Sequence, residues 1–144
     1  MNSVMKKALH AANATAVWLY RRSNGRIGGK ARGTDVLLLT VAGRKTGQPR
    51  TVAVSYFEYN GEYLVIGSGG GSKQEPQWIR NLAAAGQARI QIRHQIQEVD
   101  GRIAHGAERD RLWSEVVLTR FPFFAKYQQK AGRTIPVAVL IPNA

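Results

Sequence analysis

The sequence predicts a mainly β fold with short helices (α+β), a small barrel of about six antiparallel strands. Short apolar or alternating runs recur along the chain, and most links between them are too short for the crossover helix that parallel neighbours need. Between two of these runs stands Asn60-Gly61, the strongest short hairpin signal.

Taken in order, "MNSVMKKALHAANATAVWLYRR" reads as an amphipathic helix over about residues 3–20, with Met5, Leu9, Ala12, Ala16 and Leu19 or Tyr20 on one face. That face is expected to cover a core. "RRSNGRIGGKARGT" follows as a glycine-rich basic linker. "DVLLLTVA" is almost continuously apolar, as a strand covered on both faces is. A cationic turn leads to "TVAVSYFEY", and Asn60-Gly61 leads on to "EYLVIGS", which completes a three-stranded meander. "EPQWIRNLAAAG" reads as a helix with Pro76 at its first position and Gly86 at its C-terminal cap; Ser72 and Glu75 offer a capping box one turn earlier. "ARIQIRH" and "QIQEVDGRIA" alternate as strands, "AERDRLWSEVVLTR" and "FPFFAKYQQ" have helical period, and "TIPVAVLIP" closes as a strand. With no repeat and no composition break, residues 1–144 are expected to form one domain.

Composition narrows the chemistry. Cysteine is absent, which excludes disulfides and thiolate metal sites, and His10, His94 and His105 lack ligand spacing, so no metal is expected. The lack of disulfides fits the cytoplasm. No apolar run reaches the ~18 residues of a membrane span, although the N-terminal helix leaves peripheral contact with a membrane surface as a secondary expectation. The 21 Lys and Arg against 9 Asp and Glu give a net charge of +12, and seven of the cations precede Asp35, the first acid. An excess of this size points to a polyanionic partner: nucleic acid, an anionic membrane, or a phosphorylated or carboxylate-rich small molecule.

Two motifs choose among these. "AGRKTGQPRTV" crowds Arg44, Lys45 and Arg50 around a tight turn, a set suited to a phosphate with carboxylates nearby. "GSGGGS" leaves the backbone bare at Gly67, Gly69 and Gly70, so a flat ring can approach and meet backbone amides, with Trp78 at the start of the next helix placed to pack on it or to anchor that helix. A dinucleotide-binding reading fails because Ser72 replaces the third glycine and no acid follows at the ribose-binding distance. A single-strand nucleic-acid module needs aromatics exposed beside the cations, and strand alternation buries about half of Tyr56, Phe57, Tyr59 and Tyr63. A phosphorylated planar cofactor suits the two motifs together, and no nucleic-acid partner is expected.

"LLLTVAGRKTGQPR", "YLVIGSGGGSKQEPQWIRNL" and "YQQKAGRTIPVAVL", in this order and spacing, resemble the deazaflavin-dependent nitroreductase family of the split β-barrel flavin-binding superfamily. The resemblance runs from about Trp18 to Pro142 and implies the deazaflavin coenzyme F420, whose tail carries a phosphate and glutamates. It implies that Arg44, Lys45, Thr46, Arg50, Thr51 and Val52 hold the phosphate end. Ile66, Gly67, Ser68 and Gly69 lie along the ring in this reading, while Gln77, Trp78, Ile79, Arg80 and Asn81, with Phe124, close the pocket. The implied reaction is hydride transfer from the reduced coenzyme to a quinone or nitroaromatic. Ser55, Phe121, Phe124 and Tyr127 fall on the acceptor side, with Tyr127 and Ser68 as the candidate catalytic groups. The nitroreducing member of the family has tyrosine at the positions of Ser55, Phe121 and Phe124, so this chain is expected to favour a quinone. A non-catalytic lipid or coenzyme carrier stays open as the rival reading.

Overall fold

In the computed structural model, which describes residues 3–31, 33–69 and 71–143, the apolar run Val36–Val41 lies in β2 (Thr34–Ala42) and is covered on both sides. Leu37, Leu39 and Val41 join Val65, Leu82, Ile90, Val99 and Leu140 in the barrel core. Val36 and Leu38 form a separate cluster with Val17 and Tyr20 of α1 (Ser3–Ser23). Successive strand residues face opposite sides, so a strand with two partners carries an unbroken apolar run.

β3 (Pro49–Tyr59), β4 (Glu62–Ile66), β5 (Gln87–Ile92), β6 (Gln95–Ile103) and β7 (Val137–Pro142) complete the barrel in the order β2-β3-β4-β7-β6-β5. Pairing of Leu38, Leu39 and Thr40 with Gln91, Ile90 and Arg89 closes it, and every pairing is antiparallel. The six expected strands are thus present. A seventh, β1 (Lys30–Ala31), pairs with β2 inside the stretch read as a linker. Its residues are exposed and carry no apolar period; what marks it is backbone pairing and the 2.8 Å ion pair of Lys30 with Asp35.

The helix after β4 is α2 (Gln77–Ala85), which begins one residue later than expected. Pro76 is its N-cap, with extended backbone, and no side chain caps it. The Ser72 hydroxyl donates instead to the Gln74 carbonyl at 2.8 Å, so the capping box does not form. Gly86 closes α2 at φ 71°, where a left-handed residue was expected. α3 (Gly106–Leu112) continues through a π-helical turn (Trp113–Val117) into α4 (Leu118–Arg120), and α5 (Phe124–Ala131) packs its aromatic face on the barrel's second cluster with Phe57, Leu64 and Val137.

α1 differs most from expectation. Met5 and Leu9 are 55% and 53% exposed, and Val17 and Tyr20 are the buried residues. The face is chosen by hydrogen bonds as much as by area. The Tyr20 hydroxyl accepts the Arg93 amide at 2.9 Å and lies 3.0 Å from the Val36 carbonyl and 3.2 Å from that of Gln91, which share its proton. Asn13 Nδ2 donates to the Thr51 carbonyl at 2.9 Å. Among the described residues no helix is long and apolar enough to cross a membrane.

Candidate functional site

A cleft of about 450 Å³ opens where β3, the segment after β4, the start of α2 and the aromatic face of α5 meet. One wall is Val52, Ala53, Val54 and Ser55. Facing it are Ile66, Ser68 and Gly69, with Pro76 and Trp78 beside them. Phe123, Phe124 and Tyr127 form the apolar end, and Asn13 and Ala31 complete the rim. Phe123 stacks on Phe124 at 4.6 Å, and Tyr127 meets the two rings edge-on at 5.4 and 5.7 Å.

The backbone amides of Gly67, Ser68, Gly69 and Gly71 are sorted by direction. Gly67 donates to the Pro136 carbonyl at 2.9 Å and Gly71 to that of Ser68 at 2.9 Å. Among the described residues, the amides of Ser68 and Gly69 donate to no protein acceptor, and both residues line the cleft. A Cβ on Gly67 would stand 2.9 Å from Ile79 and Pro136, so this glycine serves close packing of loop, helix and strand. Gly70, the third glycine of the motif, lies outside the described residues.

The cationic turn stands next to this cleft. Its shape comes from Gly43 donating to the Gln48 carbonyl at 2.8 Å, Gly47 donating to the Gly43 carbonyl at 2.7 Å, and Gly47 at φ 75°. Arg44 is anchored to α2: Nη1 donates to Asn81 Oδ1 at 2.8 Å and Nη2 to Gln77 Oε1 at 2.8 Å. Both acceptors are neutral amides, so they orient the guanidinium without cancelling its charge. Lys45 and Arg50 are exposed, and neither has a carboxylate partner among the described residues. Arg50 precedes Val52 by two residues on β3, so it projects from the same side of the strand one step of about 7 Å from the cleft wall.

Of the residues expected from sequence, Val52, Ser55, Ile66, Ser68, Gly69, Trp78, Phe124 and Tyr127 line the cleft. Thr46 stays in the turn, its hydroxyl accepting the Gln48 amide at 3.2 Å, and Thr51 bonds Thr40 at 2.8 Å across the strands. Ile79 is packed in the barrel core, and Arg80 stands 3.7 Å from Glu75 on the surface. Phe121 stacks on Phe57 at 5.3 Å instead of lining the cleft, and Phe123 takes the place at the apolar end. Helical period alone does not separate two phenylalanines flanking a break in the helix. Asn13 was missed for another reason: the expected α1 face was chosen by hydrophobicity, and Asn13 reaches the cleft by a polar bond.

These residues fit a flat, tailed anion. Two spare amides lie beside an apolar slot, and uncompensated cations lie at its margin. The F420H(2)-dependent quinone reductase model matches residues 13–142, nearly the whole described chain. The chain belongs to the F420H(2)-dependent quinone reductase family. It is 35% identical over 125 residues to an F420H(2)-dependent quinone reductase of Mycobacterium tuberculosis (strain ATCC 25618 / H37Rv), covering 85% of this chain and 84% of that one. Among solved structures it is similar to an F420-H2 dependent reductase, FDR-A, at 30% identity and a TM-score of 0.63, covering 73% of this chain and 92% of the other. A second, a domain-swapped dimer, is 28% identical with a TM-score of 0.63 and covers 88% and 98% of the two chains. Family membership and the solved F420-H2 dependent reductase agree with a split β-barrel.

Proposed function

We propose that this chain passes a hydride from reduced F420 to a hydrophobic quinone held at the aromatic end of the cleft. Support comes above all from the spare Ser68 and Gly69 amides in an apolar slot bordered by uncompensated Lys45 and Arg50. F420, when bound, supplies a two-electron hydride donor. Arg44, Lys45 and Arg50, with Thr46, Thr51 and Val52, take its phosphate and glutamate end. The Ser68 and Gly69 amides take ring oxygens or nitrogens, and Trp78 covers the ring's edge. Ile66 and Gly67 shape the floor, while Gln77, Ile79, Arg80 and Asn81 hold α2 and the turn in register.

Phe123 and Phe124 exclude water and hold the flat acceptor. Ser55, Ser68 and Tyr127 are the hydroxyl-bearing residues that line the cleft, the Ser55 hydroxyl lying 2.8 Å from that of Thr34, and Tyr127 or solvent supplies the proton that completes a hydroquinone. Ser68 contributes through its backbone amide more than through its hydroxyl. A nitroaromatic needs more placed donors than these, so nitro reduction is expected to be slow beside quinone reduction. The lipid or coenzyme carrier is separated by turnover: the visible absorbance of oxidised F420 grows steadily when menadione is added to protein and reduced F420 if the chain is a reductase. Saturable binding of F420 and menadione without oxidation makes it a carrier.

We also propose that α1 touches anionic membranes. Val4, Met5, Leu9 and Trp18 are 53 to 76% exposed on a helix that also carries Lys6 and Lys7. Co-sedimentation with phosphatidylglycerol vesicles, lost in Val4→Ser/Leu9→Ser/Trp18→Ser, tests this. Equal recovery of wild type and variant in the pellet rules it out.

A further inference from the structure

The loop that lines the cleft is held from behind by one side chain that neither motif contains. Arg133 follows Gly132, whose left-handed backbone at φ 65° ends α5. From there its guanidinium reaches under the segment after β4. Nε donates to the Ser72 carbonyl at 3.2 Å, and Nη2 is shared among the carbonyls of Gly67, Ser68 and Gln74, each at 3.3 Å. Among the described residues, Arg133 Nη1 is buried with no partner of its own. An arginine that leaves a buried N–H unmatched is retained at a cost, and here the compensation is four carbonyls gathered at one point.

This has a directional consequence. A peptide unit whose carbonyl is turned toward Arg133 has its own N–H turned the opposite way, since the two lie antiparallel across the planar peptide. The carbonyls of Gly67 and Ser68 belong to the same peptide units as the amides of Ser68 and Gly69. Among the described residues neither of these two amides has a protein acceptor, and both Ser68 and Gly69 line the cleft. The other end of the tie is α5, which carries Phe124 and Tyr127; a Cβ on Gly71 would stand 3.4 Å from the Tyr127 backbone, so loop and helix are already in contact.

We propose that Arg133 is a positioning residue that aims the Ser68 and Gly69 amides into the cleft and locks that loop to the helix bearing Tyr127. It is not among the residues that line the cleft. The inference rests on the cleft being the F420 site for its effect on affinity, but its effect on the loop stands without any ligand. Lysine cannot replace it, because a single ammonium cannot span four carbonyls reached from two nitrogens.

The test compares Arg133→Lys and Arg133→Ala with Arg50→Ala and wild type. Amide hydrogen exchange is read without ligand, and F420 affinity is read by titration. In both Arg133 variants the amides of Gly71 and Ser72, which donate to the Ser68 and Gly69 carbonyls within the loop, should exchange about tenfold faster or more, with β4 and β7 unchanged, and F420 should bind about tenfold more weakly. Guanidinium ion at millimolar concentration should restore part of that affinity to Arg133→Ala and none to Arg50→Ala. Arg50→Ala should weaken binding while loop exchange stays at the wild-type rate. If Arg133→Ala fails to fold, Arg133→Lys carries the comparison. Unchanged loop exchange in Arg133→Lys overturns the proposal, and so does an even rise across the whole barrel, which would make Arg133 an ordinary stabilising residue. Should wild type itself bind no F420, the functional reading fails while the loop measurement still decides the role of Arg133.

Discussion

One oxygen, Asn81 Oδ1, accepts both the backbone amide of Arg44 at 3.1 Å and its guanidinium at 2.8 Å. Asn81 is buried on α2, and Arg44 belongs to the cationic turn, so this oxygen fixes the turn to the helix whose Trp78 lines the cleft. A neutral amide does this without neutralising the arginine.

Asn81→Ala and Asn81→Asp therefore separate position from charge. Asn81→Ala leaves the Arg44 amide without its acceptor and loosens the turn, and F420 affinity should fall about tenfold with its salt dependence retained. Asn81→Asp keeps an acceptor but pairs with Arg44, so affinity should fall and the salt slope should flatten. Isothermal titrations at two salt concentrations read both effects. An identical slope in the two variants would contradict the assigned division of labour.

Among the described residues the Arg50 side chain has no ion-pair partner to lose, so its removal is a cleaner probe of ligand contact than removal of Arg44. A charge-assisted hydrogen bond is worth ~1.5–3 kcal/mol, which predicts a loss of about ten- to a hundredfold in F420 affinity for Arg50→Ala. Thermal stability should stay at the wild-type value. A nucleic-acid module behaves otherwise: a gel shift with single-stranded DNA would weaken in Arg50→Ala while F420 affinity held.

At the acceptor end, Tyr127→Phe should lower the turnover number for menadione about tenfold or more and leave F420 affinity unchanged. The aromatic packing with Phe123 and Phe124 survives the change, so a fall in both quantities would instead indicate a disturbed cleft.

Tyr20 ties α1 to β2 and β5, and Tyr20→Phe leaves the Arg93 amide and two carbonyls without it. The expected loss is about 1–3 kcal/mol of stability, measured by urea unfolding. The same residue gives a pH signature. Burial, opposed in part by Arg93, raises the Tyr20 phenol above its usual value, and burial next to Asp35 pushes Tyr56 up to about 12. A raised tyrosine pKa means that the fold prefers the neutral phenol. This stability is fully present below about pH 10, the unfolded value, and is lost as pH climbs toward about 12. Tyr56→Phe should flatten that alkaline decline.

The strands were legible because burial on one or both faces writes itself into period two, as in Val36–Val41 and in the alternation of "ARIQIRH". β1 was illegible because two exposed residues held by backbone bonds leave no side-chain pattern. Tyr20 was one of the candidates for the face of α1, yet the face itself was misread: hydrophobic period favoured Met5 and Leu9, and the hydrogen bonds of Tyr20 and Asn13 decided it. The cations of the turn stood out in sequence because nothing in a turn needs them. Arg133 did not, since its partners are carbonyls about sixty residues away.

Asn13 of α1 stands on the cleft rim. Deleting residues 1–16 should therefore weaken F420 binding by several-fold to about tenfold in a protein that still folds, through loss of the Asn13 bond to Thr51. Circular dichroism with a parallel titration separates this from unfolding, and wild-type affinity in the folded truncation would place the cofactor away from that rim.

The central claim is that the cationic turn and the spare loop amides together select a deazaflavin with an anionic tail. Its most direct test is a competitive titration of wild-type protein with F420 and FMN at low and high salt. F420 should bind more tightly than FMN, with an advantage that shrinks as salt rises and as glutamates are trimmed from its tail. FMN binding as tight as F420 or tighter, or an advantage indifferent to both salt and tail length, would contradict the account.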